Sequence, residues 1–354
     1  MKEISTHIDL VKEALEEWLS SENASLQESK EKTISEGLFS LQDVEHQLSV
    51  FRKNLASNDI EQWIDRAGLN DQLNARGQKV LCLHAGNLPL VGFQTAVGTI
   101  LAGADYYGKL SQKDPYLLAS FLDEVKKQNP NQEIQFSTDL ESFRNLEADK
   151  VVFAGSDESV PEVKEKIREF NAATSSAKYI VRTAKYSVCF LGKVNTANIK
   201  KLTEAMLRYG GKGCRSVAAV VSEHKLDKVK GELEKSIQEY WKENPQHKKP
   251  GPNLRYKYAY NYALDKSQLW LQDFLIQESE GMPGSDFTVN WMQGDLKKIE
   301  QLKQRYGAKI QSIYTAGKKV SGFDVEDLKY AQSPFLYWKP DGMDTIEQLI
   351  EESS

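Results

Sequence analysis

The feature that most constrains the fold is a regular alternation of short apolar runs with helical stretches, which begins at residue 79. Each apolar run has the length and composition of a buried strand, and the runs are KVLCLHA, DYYGKL, KVVFAG and KYIVRT. Helical patterns separate them, as in residues 90–103. Strands joined by helices predict a parallel sheet covered by helices on both faces. Because such sheets bind ligands at the carboxyl ends of their strands, we expect the site at the loops HAGNLP, KLSQKD and FAGSDE.

The rest of the chain predicts further elements around this alternation. Residues 1–75 show helical periodicity, and their third helix is predicted over Ile60–Leu73. The FAGSDE loop predicts a following helix that is capped by Ser156 or Asp157. Further along, SVAAVVS has the pattern of another buried strand. Four tyrosines alternate at the strand period and predict one face of a strand: Tyr256, Tyr258, Tyr260 and Tyr262.

Composition and charge exclude several classes of protein. A chain of 354 residues suits two lobes, and its net charge of −5 provides no electrostatic footprint for nucleic acid. No apolar run approaches the ~18 residues that span a bilayer, and the N-terminus lacks the pattern of a signal peptide. The three cysteines are widely spaced and form neither a disulfide framework nor a zinc pattern. These features favour a reduced, cytoplasmic α/β protein without a metal site.

One cysteine differs from the other two in its surroundings. Cys82 and Cys189 lie inside apolar runs that predict buried strands, whereas Cys214 lies in the glycine-rich segment YGGKGCRS. Lys212 and Arg215 flank Cys214, and nearby cations lower the pKa of a thiol and favour the reactive thiolate. This octapeptide alone is equally compatible with a surface turn whose cysteine is merely exposed.

The order of the motifs adds to this interpretation. HAGNLP, AGADYYGKLSQKD, VVFAGSDESV and the glycine-preceded cysteine follow one another along the chain, three of them at predicted strand ends. Together they resemble the aldehyde dehydrogenase superfamily. Within it, the GNLPL form of the first loop, YGGKGCRS and the segment PDGMDTIEQLI are similar to the acyl-CoA reductases typified by the fatty-acid reductase of bacterial luminescence. The resemblance spans residues 80–350 and is weak in the N-terminal helices.

This resemblance implies roles for individual residues. Cys214 matches the nucleophile that accepts the acyl group, and Asn87 matches the amide donor that stabilises the carbonyl oxygen together with the Cys214 backbone N–H. Further matched positions would bind the cofactor: Lys109, Ser111 and Gln112 at the adenosine ribose, Gly155 and Ser156 at the phosphates, and Glu278 at the nicotinamide ribose. His84 precedes the asparagine loop, and we expect it to be structural.

Two departures from the superfamily pattern refine the expected chemistry. Gln112 stands where many dehydrogenases carry an acid after KPS, so the repulsion of a 2′-phosphate is absent and NADPH is favoured over NADH. VRTAKYS (181–187) carries no glutamate to activate water. An enzyme without that base should pass its acyl group to a thiol rather than hydrolyse it. The same gap would also be found in a catalytically inactive relative.

The resemblance also implies the architecture. We expect an aldehyde-dehydrogenase-like α/β fold with two parallel-sheet lobes, helices on both faces and an N-terminal helical segment. Residues 1–182 would form the cofactor-binding lobe, 183–325 the catalytic lobe, and 326–354 a segment that packs back across the lobes. A homodimer is expected by analogy.

The predicted function is the NADPH-dependent reduction of an acyl-CoA to an aldehyde through a cysteine thioester. The sequence leaves two alternatives open. One is an acylating relative that takes an acyl phosphate or a carrier-protein thioester. The other is a non-catalytic nucleotide-binding protein that retains the fold.

Overall fold

The structure is a computed structural model that describes residues 2–69, 73, 75–245, 249–271, 273–284, 286–317 and 324–351. Within it the chain forms two compact units. The first comprises Met1–Ala184 together with Phe335–Ser354, and the second is the continuous stretch Lys185–Pro334.

The first unit begins with helices and continues as a strand–helix alternation. Its helices are α1 (Lys2–Leu19), α2 (Ala24–Ser35), α3 (Leu41–Ala56), α4 (Asp59–Ala67), α5 (Phe93–Leu101), α6 (Leu117–Gln128) and α7 (Ser159–Glu169). Its strands are β1 (Lys79–Leu83), β2 (Asp105–Lys109), β3 (Ile134–Ser137), β4 (Ala148–Ala154) and β5 (Ala173–Arg182). These strands form one sheet in the order β3-β2-β1-β4-β5, and every pair is parallel.

Both faces of the sheet are buried at its centre, which explains the continuous apolar runs in β1 and β4. Val80 and Cys82 of β1 join a core with α1, α5 and α6, whereas Leu81 and Leu83 join a second core with Ile167 of α7. Neighbouring side chains of a strand point to opposite faces, so only a sheet that is covered on both sides buries all of them.

The segment after residue 334 completes this first unit, and it includes the short helix α12 (Thr345–Ile350). The buried carboxylate of Asp344 accepts hydrogen bonds from the indole of Trp63 at 2.9 and 3.0 Å and caps α12 through the N–H of Ile346. Lys150 Nζ, at the start of β4, donates to the backbone oxygen of Leu349 at 2.6 Å. Polar groups of the sheet and the helices are thus satisfied by residues almost two hundred positions away or more.

The second unit contains a larger sheet. Its strands are β6 (Tyr186–Leu191), β7 (Val217–Ser222), β8 (Gln268–Leu271), β9 (Phe274–Glu278), β10 (Thr288–Gln293), β11 (Ile310–Ala316) and β12 (Glu326–Asp327). Their order is β12-β11-β6-β7-β10-β9-β8, and all pairs are parallel except that of β8 with β9. The helices are α8 (Thr196–Leu207), α9 (Leu226–Glu243), α10 (Asn253–Ala263) and α11 (Leu296–Tyr306). The predicted α/β class with parallel sheets is confirmed.

The tyrosine-rich segment corrects one prediction. Its four tyrosines lie on helix α10 rather than on a strand. Tyr256 and Tyr260 are exposed and lie one turn apart, whereas Tyr258 is partly buried against the core of the second unit. Alternation of one residue type every second position is therefore misleading here, because alanine, asparagine and lysine between the tyrosines are compatible with a helix as well.

Two helix ends also differ from the prediction. The helix that was predicted over Ile60–Leu73 ends at Ala67, because Gly68 takes the left-handed conformation (φ 71°) and terminates it. Residues 70–72 lie outside the described residues. Helix α7 begins at Ser159, so its N-cap residue is Glu158 rather than the predicted Ser156 or Asp157. Among the described residues, no helix has both the length and the apolar character to cross a membrane.

Candidate active site

The turn that carries Cys214 is built from backbone conformations that favour glycine. Tyr209, Gly210 and Gly211 all have left-handed φ values, at 58°, 67° and 72°. A Cβ on Gly211 would lie 2.9 Å from the backbone oxygen of Met206, closer than real side chains approach. Tyr209 adopts this conformation although it is not glycine, and such strain is concentrated at functional sites. The backbone therefore favours glycine at positions 210 and 211 of YGGKGCRS.

Four interactions fix the turn around Cys214. The backbone oxygen of Cys214 accepts a hydrogen bond from the hydroxyl of Ser187 at 2.7 Å. Arg215 Nε donates to the backbone oxygen of Ala331 at 3.3 Å. Lys212 Nζ lies 4.0 Å from a carboxylate oxygen of Asp286 and 5.1 Å from the ring centre of Phe287. Both flanking cations are thus held in place by contacts of their own, and one contact of Lys212 is with a carboxylate.

The three thiols differ in their exposure as the sequence predicts. Cys82 and Cys189 are buried and Cys214 is partly exposed. Burial raises the pKa of Cys82 to about 12 and also raises the pKa of Cys189, because a thiolate is disfavoured away from water. Cys214 is thus the cysteine of this chain whose surroundings suit a nucleophile. It lies just before β7, at the amino end of the second sheet.

In the first unit, the loops that follow β1 and β2 pack against each other. Asn87 is exposed in the first of these loops. A Cβ at Gly86 would overlap the hydroxyl of Ser111, so the two loops come this close only because residue 86 is a glycine. The N–H of Leu90 donates to Oδ2 of Asp114 at 2.6 Å. This link between HAGNLP and KLSQKD involves Asp114, which the sequence analysis did not single out.

His84 has a structural position at the start of the Asn87 loop. Its Nε2 hydrogen-bonds the hydroxyl of Tyr106 at 2.6 Å inside the core. Burial, aided by the charges of Lys109 and Arg182, lowers the pKa of His84 to about 3, so the imidazole is neutral at physiological pH. A Cβ at Gly92 would overlap this ring, so the glycine leaves room for it. His84 therefore supports the loop as a packed group.

Four of the six residues that the sequence assigns to a dinucleotide lie at or just beyond the carboxyl ends of strands in the first sheet. Lys109 ends β2 and Ser111 follows it, while Gly155 and Ser156 follow β4, and β1 lies between these two strands. The pKa of the half-buried Lys109 is lowered, first by burial and then by the charge of Lys166, against the effect of Asp139. Lys166 lies on α7 and pairs with the Glu162 carboxylate at 2.9 Å, so Lys109 itself is the cation at this strand end. A cation there favours an anionic ligand such as a phosphate-bearing cofactor.

Gln112 and Glu278 occupy different surroundings. Gln112 is exposed in the loop after β2. Glu278 ends β9 in the second unit, where one carboxylate oxygen accepts a hydrogen bond from the N–H of Leu226 at 2.9 Å, in the first turn of α9. Glu278 thus caps a helix, which is a role that the sequence analysis missed. Its contact to a ribose stays a prediction.

The fold is that of aldehyde dehydrogenases. Aldehyde dehydrogenase 21 from Physcomitrella patens, in complex with the reaction product succinate, superposes with a TM-score of 0.60 at 11% identity over 93% of this chain and 76% of its own. A putative methylmalonate-semialdehyde dehydrogenase from Sinorhizobium meliloti complexed with NAD gives 0.58 at 11% identity over 88% and 73%. A glyceraldehyde-3-phosphate dehydrogenase from Methanocaldococcus jannaschii complexed with NADP gives 0.58 at 10% identity over 90% and 77%.

The sequence identifies the family more narrowly. The profile of the acyl-CoA reductase (LuxC) family matches residues 3–310, and the chain belongs to that family. It is therefore an oxidoreductase that acts on aldehyde or acyl groups. No curated protein sequence matches the chain significantly. The resemblance that the ordered motifs indicate is confirmed over residues 3–310, which include the N-terminal helices. The segment PDGMDTIEQLI (340–350) lies beyond the matched residues.

Proposed function

We propose that this protein reduces an acyl-CoA to the free aldehyde, with NADPH as the reductant and Cys214 as the carrier of the acyl group. The observation that carries the proposal is the partly exposed thiol of Cys214, which stands between two positioned cations in a chain of the acyl-CoA reductase family. The other two cysteines are buried and unsuited to attack.

The first step is acyl transfer. The Cys214 thiolate attacks the carbonyl carbon of the thioester, the C–S bond to coenzyme A breaks, and the coenzyme leaves as a thiolate that takes a proton from water. Negative charge develops on the carbonyl oxygen during the attack. We assign its stabilisation to the backbone N–H of Cys214 and the side-chain amide of Asn87. One such donor typically contributes a few kcal/mol, roughly 3, to lowering the barrier.

The second step needs a hydride, which a reduced nicotinamide supplies when it is bound. Cys214 then holds a tetrahedral thiohemiacetal, whose C–S bond breaks to release the aldehyde and restore the thiolate. Lys109 and Ser111 would hold the adenosine ribose of the dinucleotide, and Gly155 and Ser156 would hold its phosphates. All four lie at or just beyond the carboxyl ends of β2 and β4. Glu278 is proposed at the nicotinamide ribose.

The preference for NADPH over NADH rests on charge at the end of β2. Gln112 carries no charge that would repel a 2′-phosphate, and Lys113 follows it directly. Lys166 also lies close enough to Lys109 to lower its pKa, and it is itself paired with Glu162 at 2.9 Å. We assign the adenosine ribose and the phosphates of the cofactor to the first unit and the nucleophile to the second. We also propose a homodimer.

The acyl-enzyme step can be tested without the cofactor. Purified protein is incubated with a long-chain acyl-CoA, quenched in acid and analysed by peptide mass spectrometry. We expect the mass of the acyl group on the Cys214 peptide. A Cys214→Ser variant should lose this adduct and at least about a thousandfold of the reductase rate, which is measured as consumption of NADPH.

A matched control separates loss of the nucleophile from loss of any thiol. Cys82→Ala removes a buried cysteine of the first unit and should retain both the adduct and the activity. Full activity in Cys214→Ser would rule out the proposed nucleophile. No adduct and no turnover with acyl-CoA, acyl phosphate or carrier-protein thioester would indicate the non-catalytic alternative.

A further inference from the structure

Tyr314 of β11 carries a polar group that the fold leaves unsatisfied. Its side chain is fully buried in the core of the second unit, beside Cys189 and Leu191. Among the residues that the structure describes, its hydroxyl has no hydrogen-bond partner. The hydroxyl of Ser312 lies close enough to lower the pKa of Tyr314, but it donates its hydrogen bond to Glu326 at 2.7 Å. A buried hydroxyl without a partner reduces stability, so its retention calls for a reason.

The strand register places Tyr314 on the side of the sheet that supports the Cys214 turn. Ser187, whose hydroxyl holds the backbone oxygen of Cys214, pairs with Ser312 across β6 and β11. Side chains two residues apart on a strand share a face, so Ser312 and Tyr314 lie on the face to which Ser187 points. Tyr314 pairs in turn with Glu326 of β12.

Electrostatic interactions connect the same groups. The pKa of Tyr314 is raised above the usual value for tyrosine, first because burial disfavours the phenolate and then because of the nearby Glu326 carboxylate. Arg215 and the hydroxyl of Ser312 oppose this shift, and the negative charge of an ionised Cys214 adds to it. The phenol therefore stays protonated across the physiological range. A protonated hydroxyl whose pKa is raised by the charge on Cys214 is a donor suited to a thiolate.

We propose that Tyr314 is a positioning residue for the nucleophile, whose hydroxyl donates a hydrogen bond to the sulfur of Cys214 when that sulfur is ionised. The inference rests on the proposed role of Cys214 and adds a third stabilising group to Lys212 and Arg215. On this proposal, the phenol of Tyr314 gains a hydrogen-bond acceptor only when the sulfur of Cys214 is ionised and ready to attack.

Tyr314→Phe tests the proposal because it removes the hydroxyl and retains the ring. The measurement is the rate at which iodoacetamide alkylates Cys214 as a function of pH, followed by peptide mass spectrometry so that Cys214 is scored alone. We expect the apparent pKa of the Cys214 thiol to rise by about one unit, which is a tenfold loss of thiolate at neutral pH. Tyr260→Phe, which removes an exposed hydroxyl from α10 of the same unit, should leave the profile unchanged.

A second measurement distinguishes this role from a structural one. Because the hydroxyl is unsatisfied in the fold, the urea midpoint of Tyr314→Phe should be equal to that of the wild type or higher. Incorporation of 3-fluorotyrosine at position 314 makes the phenol a stronger donor and should shift the alkylation profile in the opposite direction. A profile of Tyr314→Phe that superposes on the wild type would overturn the proposal, as would a large fall of its urea midpoint.

Alkylation uses neither acyl-CoA nor NADPH, so this test is independent of turnover. A shifted profile in a protein that lacks reductase activity would support the role of Tyr314 and contradict the proposed function. An unshifted profile in an active reductase would contradict the role of Tyr314 and leave the proposed function supported.

Discussion

At the scale of single residues, the sequence identifies groups with distinctive neighbours along the chain and misses those whose neighbours are distant. Cys214 stands out because its cations and glycines are adjacent in sequence. Asp114 does not, although it ties two candidate loops together through Leu90. Tyr314 is equally hidden, since its unsatisfied hydroxyl is a property of packing rather than of residue type. Burial and hydrogen-bond satisfaction arise only in the folded chain.

Asp114 gives a prediction about pH. Burial raises its pKa to about 7, against the single favourable hydrogen bond from Leu90. Since the folded-state pKa is raised, the stability that protonated Asp114 contributes is fully present below about pH 4 and is lost as the pH rises through about 7. This group alone should therefore reduce the free energy of unfolding by about 2 to 3 kcal/mol between roughly pH 5 and pH 8.

Asp114→Asn provides the measurement. Asparagine keeps an oxygen acceptor for Leu90 but cannot ionise, so the urea midpoint of the variant should vary less over that pH range than that of the wild type. The stability that the substitution adds to the first unit should be largest at alkaline pH. An identical pH dependence in both proteins would show that Asp114 does not titrate as described.

At the scale of elements, strands and helices with a clear period are predicted well, and their ends less so. Strands β1 and β4 of the first sheet are recognisable because both faces are buried and their central residues are apolar. The short strand β3 has mixed polarity and was not anticipated. Helix α10 has no apolar face at a period of 3.6, so its tyrosines dominate the pattern and suggest the wrong element.

The turn before Cys214 gives a prediction at this scale. Gly211→Ala introduces a Cβ at φ 72° and 2.9 Å from the oxygen of Met206, so the turn must rearrange. We expect a loss of about 1 to 3 kcal/mol in the free energy of unfolding and slower alkylation of Cys214. Gly231→Ala is the matched control, because Gly231 lies inside α9 with open space around it and alanine favours a helix. Equal stability of the two variants would contradict the strained turn.

At the scale of the whole molecule, the order of the motifs predicts the fold class and the superfamily. It does not predict that residues beyond 334 pack onto the first unit. The first unit needs residues beyond 334 to satisfy groups that lie far earlier in the sequence. Nothing near Trp63 or Lys150 in the sequence indicates that their partners come so late. Such pairings depend on three-dimensional packing, which local patterns do not encode.

A substitution of Asp344 tests how the segment after residue 334 is held to the rest of the first unit. Asp344→Ala leaves the buried indole N–H of Trp63 and the first N–H groups of α12 without an acceptor. We expect the free energy of unfolding to fall by about 3 kcal/mol, measured by urea denaturation with tryptophan fluorescence. Glu351→Ala, which removes an exposed carboxylate from the same segment, should have little effect. Similar midpoints for both variants would mean that α12 is not held through Asp344.

The discontinuous first unit has a consequence for protein synthesis. Residues 185–334 form one uninterrupted stretch and can finish folding once they have left the ribosome. The unit that was translated first must wait for residues 335–351 before Trp63 and Lys150 meet their acceptors. The second unit would then complete its folding before the first unit, although the first unit is translated earlier. We expect chaperones to bind the incomplete first unit in the nascent chain.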